Sequence, residues 1–421
     1  MRTAIIGGGA AGLMAAATLL AEHPEGDIFL LERNDGLGKK VIISGGGRCN
    51  VTTGIRDVRT LLTKYPRGGK FLSSALYAFP PEAVVAWFES HGVPLKTEPD
   101  LRVFPQSDDG HDVVRAFETL FRASRVHVML NTHVVGITRD TSGAHPFTIT
   151  IKNQPQPLAV DAVILATGGQ AYRHTGSTGD GYAFAMALGH TLTPLAPGLN
   201  AFFTREQWPA EVSGLSFSNA TITAKRGAGF SFTGPFLFTH KGISGPAVFA
   251  LSSLVAFEQY DAANPLEVSI DLFPDTSATA LHERIADAAA AHPTKSFLNT
   301  LASIVPKSLA ELCVRTLTLP GTRRAAEVSK QDILQSIAWL KAIPLHVIKR
   351  GAGDEFITAG GIPRTEVNPS TMESLICPNL FLAGEILDID GFTGGFNLQA
   401  SWSTGHLAAS AIARAVKRTE Y

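Results

Sequence analysis

Cysteine is scarce: the 421 residues contain three, at Cys49, Cys313 and Cys377. They are odd in number, far apart and never in a C-x-x-C pair. That excludes a disulfide framework, a cysteine zinc site and a dithiol redox couple, and it suits a reducing cytoplasm. Net charge is nearly absent as well. Lys and Arg number 36 against 37 Asp and Glu, a formal −1, so no whole-protein field draws in DNA, RNA or an anionic membrane. No apolar run reaches the roughly twenty residues of a membrane helix, and no repeat or low-complexity tract occurs. The first strand begins almost at Met1, so no signal peptide is expected. What remains, 45% apolar and 17% charged, is the composition of an ordinary soluble enzyme, long enough for two or three domains.

The opening stretch carries the strongest signal. Thr3-Ala4-Ile5-Ile6 reads as a short apolar strand, and Leu13 to Ala21 as a helix rich in alanine and leucine. Between them Gly7, Gly9 and Gly12 fit G-x-G-x-x-G. The first allows the tight turn, the second lets a pyrophosphate reach the backbone, and the third brings helix and strand together. The unpaired N–H groups at the start of that helix would hold the phosphates. A second strand, Ile28 to Leu31, ends in Glu32, twenty residues beyond Gly12. A carboxylate there can accept the ribose hydroxyls of an adenosine. Strand, glycines, helix and acid together define a dinucleotide site.

Further along, Ser44-Gly45-Gly46-Gly47-Arg48-Cys49-Asn50 places three glycines beside Arg, Cys and Asn. Such a run is costly in chain entropy unless something must approach the backbone. Residues 60 to 92 read as helical with Pro81 at a helix start, while 126 to 135, 147 to 152 and 161 to 166 read as strands. The texture changes at Pro194: residues 199 to 275 show short alternating runs typical of antiparallel sheet. Residues 276 to 342 return to helical periodicity, and after Pro344 the α/β pattern resumes. The expected architecture is therefore α/β. A discontinuous dinucleotide-binding domain (1–193 and 344–421) is interrupted by a β-rich insert (194–275) and a helical insert (276–343).

Six blocks in chain order make this sequence resemble the bacterial NAD(P)/FAD-dependent flavoproteins known as BaiN-like or aminoacetone-oxidase-like. They are GGGAAGLMAA (7–16), GKKVIISGGGRCNVTT (38–53), ATGGQAYRHTGSTGDGYAFA (166–185), FTHKGISGPAVFALS (238–252), ITAGGIPRTEVNPSTMES (357–374) and LFLAGEILDIDGFTGGFNLQASWSTGHLAA (380–409). Residues 255 to 350 match in texture alone. The resemblance implies an α/β, Rossmann-like FAD/NAD(P)-binding domain carrying a β-barrel-like and a helical insertion, with FAD as its cofactor. No flavin-linking His or Cys is evident, so the FAD is expected to be non-covalent. By the resemblance, the first dinucleotide block contributes Ala11, Arg33, Lys39 and Lys40 beside Gly7, Gly9, Gly12 and Glu32. The glycine run adds Gly46, Gly47, Arg48 and Asn50. Val134, the segment Ala166, Thr167, Gly168 and Gly169, and Asp180 follow. The final block gives Gly384, Glu385, Gly395, Phe396, Asn397 and Leu398.

The chemistry of these residues leaves several readings open. Ala383-Gly384-Glu385 ends a strand, where α/β sheets bind ligands, but Glu385 stands where many flavoproteins carry an Asp that holds ribitol hydroxyls. A helix beginning near Asn397 would aim its positive end at the flavin and favour the reduced ring. Asp180 is either a cofactor-side residue or a plain helix cap. Three groups are candidates for catalysis: Cys49, His240 and Arg48. Cys49, beside Arg48 and glycine amides, could have a lowered pKa and protonate a substrate carbon, against the simpler reading of a buried thiol. His240, before a helix start at Gly245-Pro246, is a candidate acid or base. No second complete G-x-G-x-x-G exists; Gly227-Ala228-Gly229 and Gly351-Ala352-Gly353 both lack the third glycine. NAD(P)H is thus expected as a transient reductant that leaves before the substrate arrives.

The leading function is an FAD-dependent oxidoreductase that passes hydride from NAD(P)H to a conjugated C=C or carbonyl of a small molecule. One alternative is an RNA-modifying flavoenzyme that reduces uridine to dihydrouridine in ribosomal RNA. Residues 276 to 350 hold ten Lys or Arg against five Asp or Glu, a surplus that could contact RNA phosphates or form a solvated helical surface. A further alternative is a non-catalytic flavin-binding redox sensor or assembly factor.

Overall fold

The computed structural model describes residues 1–225, 229–351 and 356–419. The chain forms two compact units, one from residues 1–197 with 356–421 and one from residues 198–355.

The first unit is built on a five-stranded parallel sheet. Its strand Arg2–Ile6 pairs on one side with Asp27–Leu31 and on the other with Ala162–Leu165; Val126–Met129 and Leu380–Leu382 lie at the edges. Strands buried on both faces should read as continuous apolar runs, and Ala4, Ile5, Ile28, Leu30 and residues 162 to 165 are almost fully enclosed. Helix Ala10–Glu22 returns the chain from the first strand to the second, the right-handed crossover of a Rossmann fold. The closing helix Phe396–Thr419 packs along it. They approach so closely that a methyl on Gly405 would lie 2.2 Å from the Ala11 carbonyl oxygen. Two three-stranded antiparallel sheets complete the unit: Val134–Arg139, Phe147–Ile151 and Leu158–Val160, and Thr52–Thr53, Leu95–Thr97 and Arg102–Pro105. Residues 60 to 92, read as one helical region, fold as three short helices, Val58–Leu62, Ser73–Ala78 and Pro81–Ser90. Pro81 stands at a first helical position, where its missing N–H costs nothing.

The second unit is a closed six-stranded barrel with four helices among the described residues between its last two strands. Strands Phe202–Thr204, Ser216–Ala224, Phe230–Thr239, Gly242–Ser244, Leu266–Asp271 and Ile343–Arg350 form the barrel. Helices Ala278–Ala291, Phe297–Leu301, Lys307–Thr316 and Lys330–Leu340 lie between the fifth and the sixth. The nucleotide domain, expected to resume at 344, instead does so after the barrel's last strand. The burial of Ile343, Leu345 and Val347 alternates with more exposed neighbours, the period of a strand with one wet face. An apolar stretch follows a helix here as it does in α/β folds, and the alternation alone distinguishes it as a strand with one wet face. Of the two incomplete glycine motifs, Gly227-Ala228 and Ala352-Gly353 lie outside the described residues.

Candidate functional site: a flavin nucleotide cradle

Four segments of the first unit converge where the opening strand passes into its helix. Gly7 takes φ +107°, and a methyl on it would sit 2.5 Å from the Ala166 carbonyl oxygen. One on Gly12 would strike the Gly7 carbonyl at 1.9 Å. Gly9, at the start of the helix, differs: a methyl there would meet no heavy atom within 4 Å. The same holds for Gly46 and Gly47. Two of these glycines are thus obligatory for packing, while three line open space with bare backbone. Thr167 Oγ1 and Tyr182 OH are buried without a hydrogen-bond partner among the described residues. A dinucleotide needs such a cradle, with close backbone approach at the turn, polar atoms awaiting partners, and a helix N-terminus for phosphate. The residues present fit FAD.

Glu32 is buried, and its carboxylate already works within the protein. Oε2 accepts the Gly8 N–H at 2.8 Å, and Oε1 accepts the backbone and side-chain N–H groups of Asn34 at 2.9 and 2.7 Å. With about two acceptor positions per oxygen, Oε2 keeps room for one ribose hydroxyl. Arg33 donates to Thr178 at 2.7 Å and to Asp180 at 2.8 Å, and His133 lies 3.4 Å from the same carboxylate. Asp180 caps nothing: Gly179 occupies the cap position of helix Asp180–Ala187, and no side chain bonds there. Lys39 pairs with Asp35 on the surface.

Lys40 and Glu385 bind each other at 2.6 Å. The other Glu385 oxygen accepts the Thr358 N–H at 2.7 Å, and Thr358 Oγ1 in turn accepts the N–H groups of Gln170 and Ala171 at 2.7 and 3.1 Å. Thr358, within the 357–374 block but not among the expected site residues, is therefore the hub joining Gln170, Ala171 and Glu385, and through Glu385 also Lys40. Gly384 has φ +78° and donates its N–H to Thr404 at 2.9 Å. Gly395 has φ +86°, and a methyl on it would lie 2.2 Å from the Thr52 carbonyl oxygen. Asn397 both donates to and accepts from the Gly391 backbone at 2.8 Å, so its side chain shapes the loop before the closing helix. Phe396 is buried and its carbonyl accepts Tyr65 OH at 2.8 Å; Leu398 is half-buried against the core. Ala11 and Ala166 are buried beside the turn, Gly168 takes φ +71°, and Val134 begins its strand in the core. Asn50 accepts the Val103 N–H at 3.2 Å.

The three catalytic candidates fare differently. Cys49 is fully buried, and burial pushes its thiol up to about 12 against a small opposing hydrogen bond from Ser44. The expected lowered pKa is not found, because the thiol faces the core while the glycines face outward. Arg48 is engaged elsewhere: it pairs with Glu98 at 2.5 Å and Asp108 at 3.0 Å, with its guanidinium 3.7 Å above the Phe104 ring. His240 belongs to the second unit, exposed at the turn between strands Phe230–Thr239 and Gly242–Ser244. The helix expected after it does begin at Pro246.

This cradle on a parallel sheet defines a Rossmann-type FAD-binding domain of the oxidoreductase class. The chain belongs to the HI0933-like family: the HI0933-like protein Rossmann domain matches residues 1–411. A 3-dehydro-bile acid delta(4,6)-reductase of Clostridium scindens is 30% identical over 98% of this chain and 99% of its own. A ribosomal RNA dihydrouridine synthase of Escherichia coli is 28% identical over 96% of each chain. Among solved structures, an open-conformation flavocytochrome c3 fumarate reductase matches at TM-score 0.50 and 16% identity, over 98% of this chain and 78% of that one. A 3-ketosteroid delta1-dehydrogenase from Sterolibacterium denitrificans matches at TM-score 0.50 and 12% identity, over 98% and 99%. At such identities these two structures speak for the fold alone. No helix among the described residues is long and apolar enough to cross a membrane.

Proposed function

We propose that this protein is an FAD-dependent reductase that takes reducing equivalents from NAD(P)H and passes hydride to a conjugated C=C or carbonyl of a small molecule. The observation that carries the reading is the set of bare glycines at 9, 46 and 47, where an added methyl would meet no heavy atom within 4 Å, in a site whose Gly7 and Gly12 are tightly packed. The helix start at Ala10 would hold the pyrophosphate, Glu32 Oε2 a ribose hydroxyl, and the glycine bend the ring. Bound there, FAD supplies the hydride-accepting and hydride-donating centre. A conjugated substrate is supported by the bile-acid reductase relative, which spans the whole chain. With Cys49 sealed, the proton for the substrate comes from solvent or from another group of the protein. NAD(P)H is expected to visit and depart, giving ping-pong kinetics. The test is anaerobic: the yellow protein should bleach with NADPH or NADH and recover on addition of an enone. Flavin that no nicotinamide reduces would instead favour a sensor or assembly role.

A second reading, reduction of uridine in ribosomal RNA, is favoured by one feature of the second unit. Lys295, Arg323 and Arg324 are exposed on two segments joined by backbone hydrogen bonds of 2.9 Å, and no carboxylate among the described residues pairs with them. Mass spectrometry of ribosomal and transfer RNA nucleosides from a deletion strain decides between the two readings. Unchanged dihydrouridine removes the RNA branch.

A further inference from the structure

Resting on the flavoprotein reading, we infer that Arg48 is a positioning residue: it clamps the glycine bend Ser44–Gly47 in the shape that receives the flavin end of FAD. The bend is conformationally expensive. Gly45, Gly46, Gly47 and Cys49 all take left-handed backbone, with φ +59°, +73°, +90° and +58°. Cys49 adopts it despite having a side chain, a state that persists only where the surroundings impose it.

The surroundings act from three sides. From within, the Cys49 side chain is buried and its N–H is tied to the Ser44 carbonyl at 2.9 Å. From beneath, Gly110 opens helix Gly110–Arg122 so close that a methyl on it would lie 3.0 Å from the Gly47 carbonyl oxygen. From outside, the Arg48 guanidinium carbon lies 3.7 Å over the Phe104 ring, and the group forks to Glu98 and Asp108. Those carboxylates have second cations: Lys96 holds Asp108 at 2.6 Å, and Arg102 lies 3.3 Å from Glu98. Lys96 and Phe104 face one another across the antiparallel pair Leu95–Thr97 and Arg102–Pro105. Arg48 thus fastens the bend to a rigid hairpin, and Gly46 and Gly47 are left presenting backbone to open space. A planar guanidinium suits this task, since it stacks and forks at once; an ammonium can do only one of these well.

The experiment titrates FAD into apo-protein. It reads affinity by flavin fluorescence, ring environment by visible circular dichroism, and folding by thermal midpoint. Arg48→Ala should bind FAD roughly tenfold more weakly, the equivalent of one strained residue released. Its flavin dichroism should change while its thermal midpoint stays near wild type. Arg48→Lys should recover part of the affinity. Arg115→Gln, which removes an exposed ion pair with Asp112 on the neighbouring helix, should match wild type. Wild-type affinity in Arg48→Ala, or equal weakening in Arg115→Gln, overturns the proposal. Should Arg48→Ala fail to fold, the double variant Glu98→Gln/Asp108→Asn frees the same guanidinium and is judged by the same criteria. Wild-type protein that takes up no FAD overturns the flavoprotein reading itself, which is a distinguishable outcome.

Discussion

Adding one methyl group at Gly9 or at Gly12 should separate cofactor binding from folding. Gly9 has φ −83° and ψ −171°, extended backbone that alanine adopts freely, and no heavy atom lies within 4 Å of the added carbon. Alanine is a poorer helix cap than glycine but restricts the unfolded chain more, so the apo-protein should change by less than about 1 kcal/mol. The same methyl occupies the place where a pyrophosphate must meet the backbone. FAD affinity should therefore fall at least about a hundredfold, roughly 2.7 kcal/mol. At Gly12 the new carbon would lie 1.9 Å from the Gly7 carbonyl oxygen. That atom is backbone within the turn and cannot rotate away, so helix and strand must part, at a cost of about 3 kcal/mol. In a unit of this size that lowers the thermal midpoint by roughly 6–12 °C. Differential scanning fluorimetry of both apo-proteins, followed by FAD titration of Gly9→Ala, measures each quantity. A Gly9→Ala protein that binds FAD as tightly as wild type would refute the placement of the pyrophosphate and the site built on it.

Other outcomes follow from the same geometry. Cys49→Ala should retain turnover within about twofold, since a buried thiol with raised pKa donates no proton; its cost should appear as about 1 kcal/mol of stability, and a hundredfold loss in kcat would reinstate it as an acid. Asp390 is enclosed and paired with Arg67 through both carboxylate oxygens. Asp390→Ala removes the bidentate carboxylate from a mostly buried guanidinium and should cost about 3 kcal/mol in denaturant unfolding. His406 is stacked on Phe79 and bonded to Thr18 at 3.0 Å, and burial holds its pKa below the ordinary 6.5. A base lowered in the folded state favours the neutral form. Its contribution is present above pH 6.5 and is lost as pH falls toward the folded value, where the unfolded chain binds the extra proton. His406→Gln should flatten that part of the stability profile, and an unchanged slope in urea unfolding between pH 7 and 5 would contradict the assignment.

The parts of this molecule legible in its sequence are those written locally. The turn at Gly7 to Gly12, the acid at Glu32 and the glycine run at 45 to 47 each occupy a few consecutive residues, and backbone conformation follows from them directly. Side-chain partnerships are another matter. Lys40 meets Glu385 across 345 positions, and Thr358 reaches Gln170 across 188; each lies in a recognisable block, but nothing local says which residues meet. The same holds for Arg48 and Cys49. Adjacent residues on a left-handed bend point in different directions, one into the core and one onto a hairpin, and no spacing rule reports that. The barrel strand Ile343–Arg350 did carry its alternation, but barrel closure is a relation among strands that no single segment displays.

The packing of Gly405 against the Ala11 carbonyl has a bearing on how the molecule comes into being. Two of the helices that frame the cradle, Ala10–Glu22 and Phe396–Thr419, are far apart in the chain, and the sheet edge Leu380–Leu382 also arrives late. On the ribosome the opening strand and its helix must wait, incompletely covered, until the strand Leu380–Leu382 and the helix Phe396–Thr419 have emerged. The barrel and its helices, contiguous in the chain, can mature in the interval. Capture of the cofactor is then expected to be among the last events of biogenesis, so truncation close to the C-terminus should leave a soluble barrel attached to an unfinished nucleotide fold.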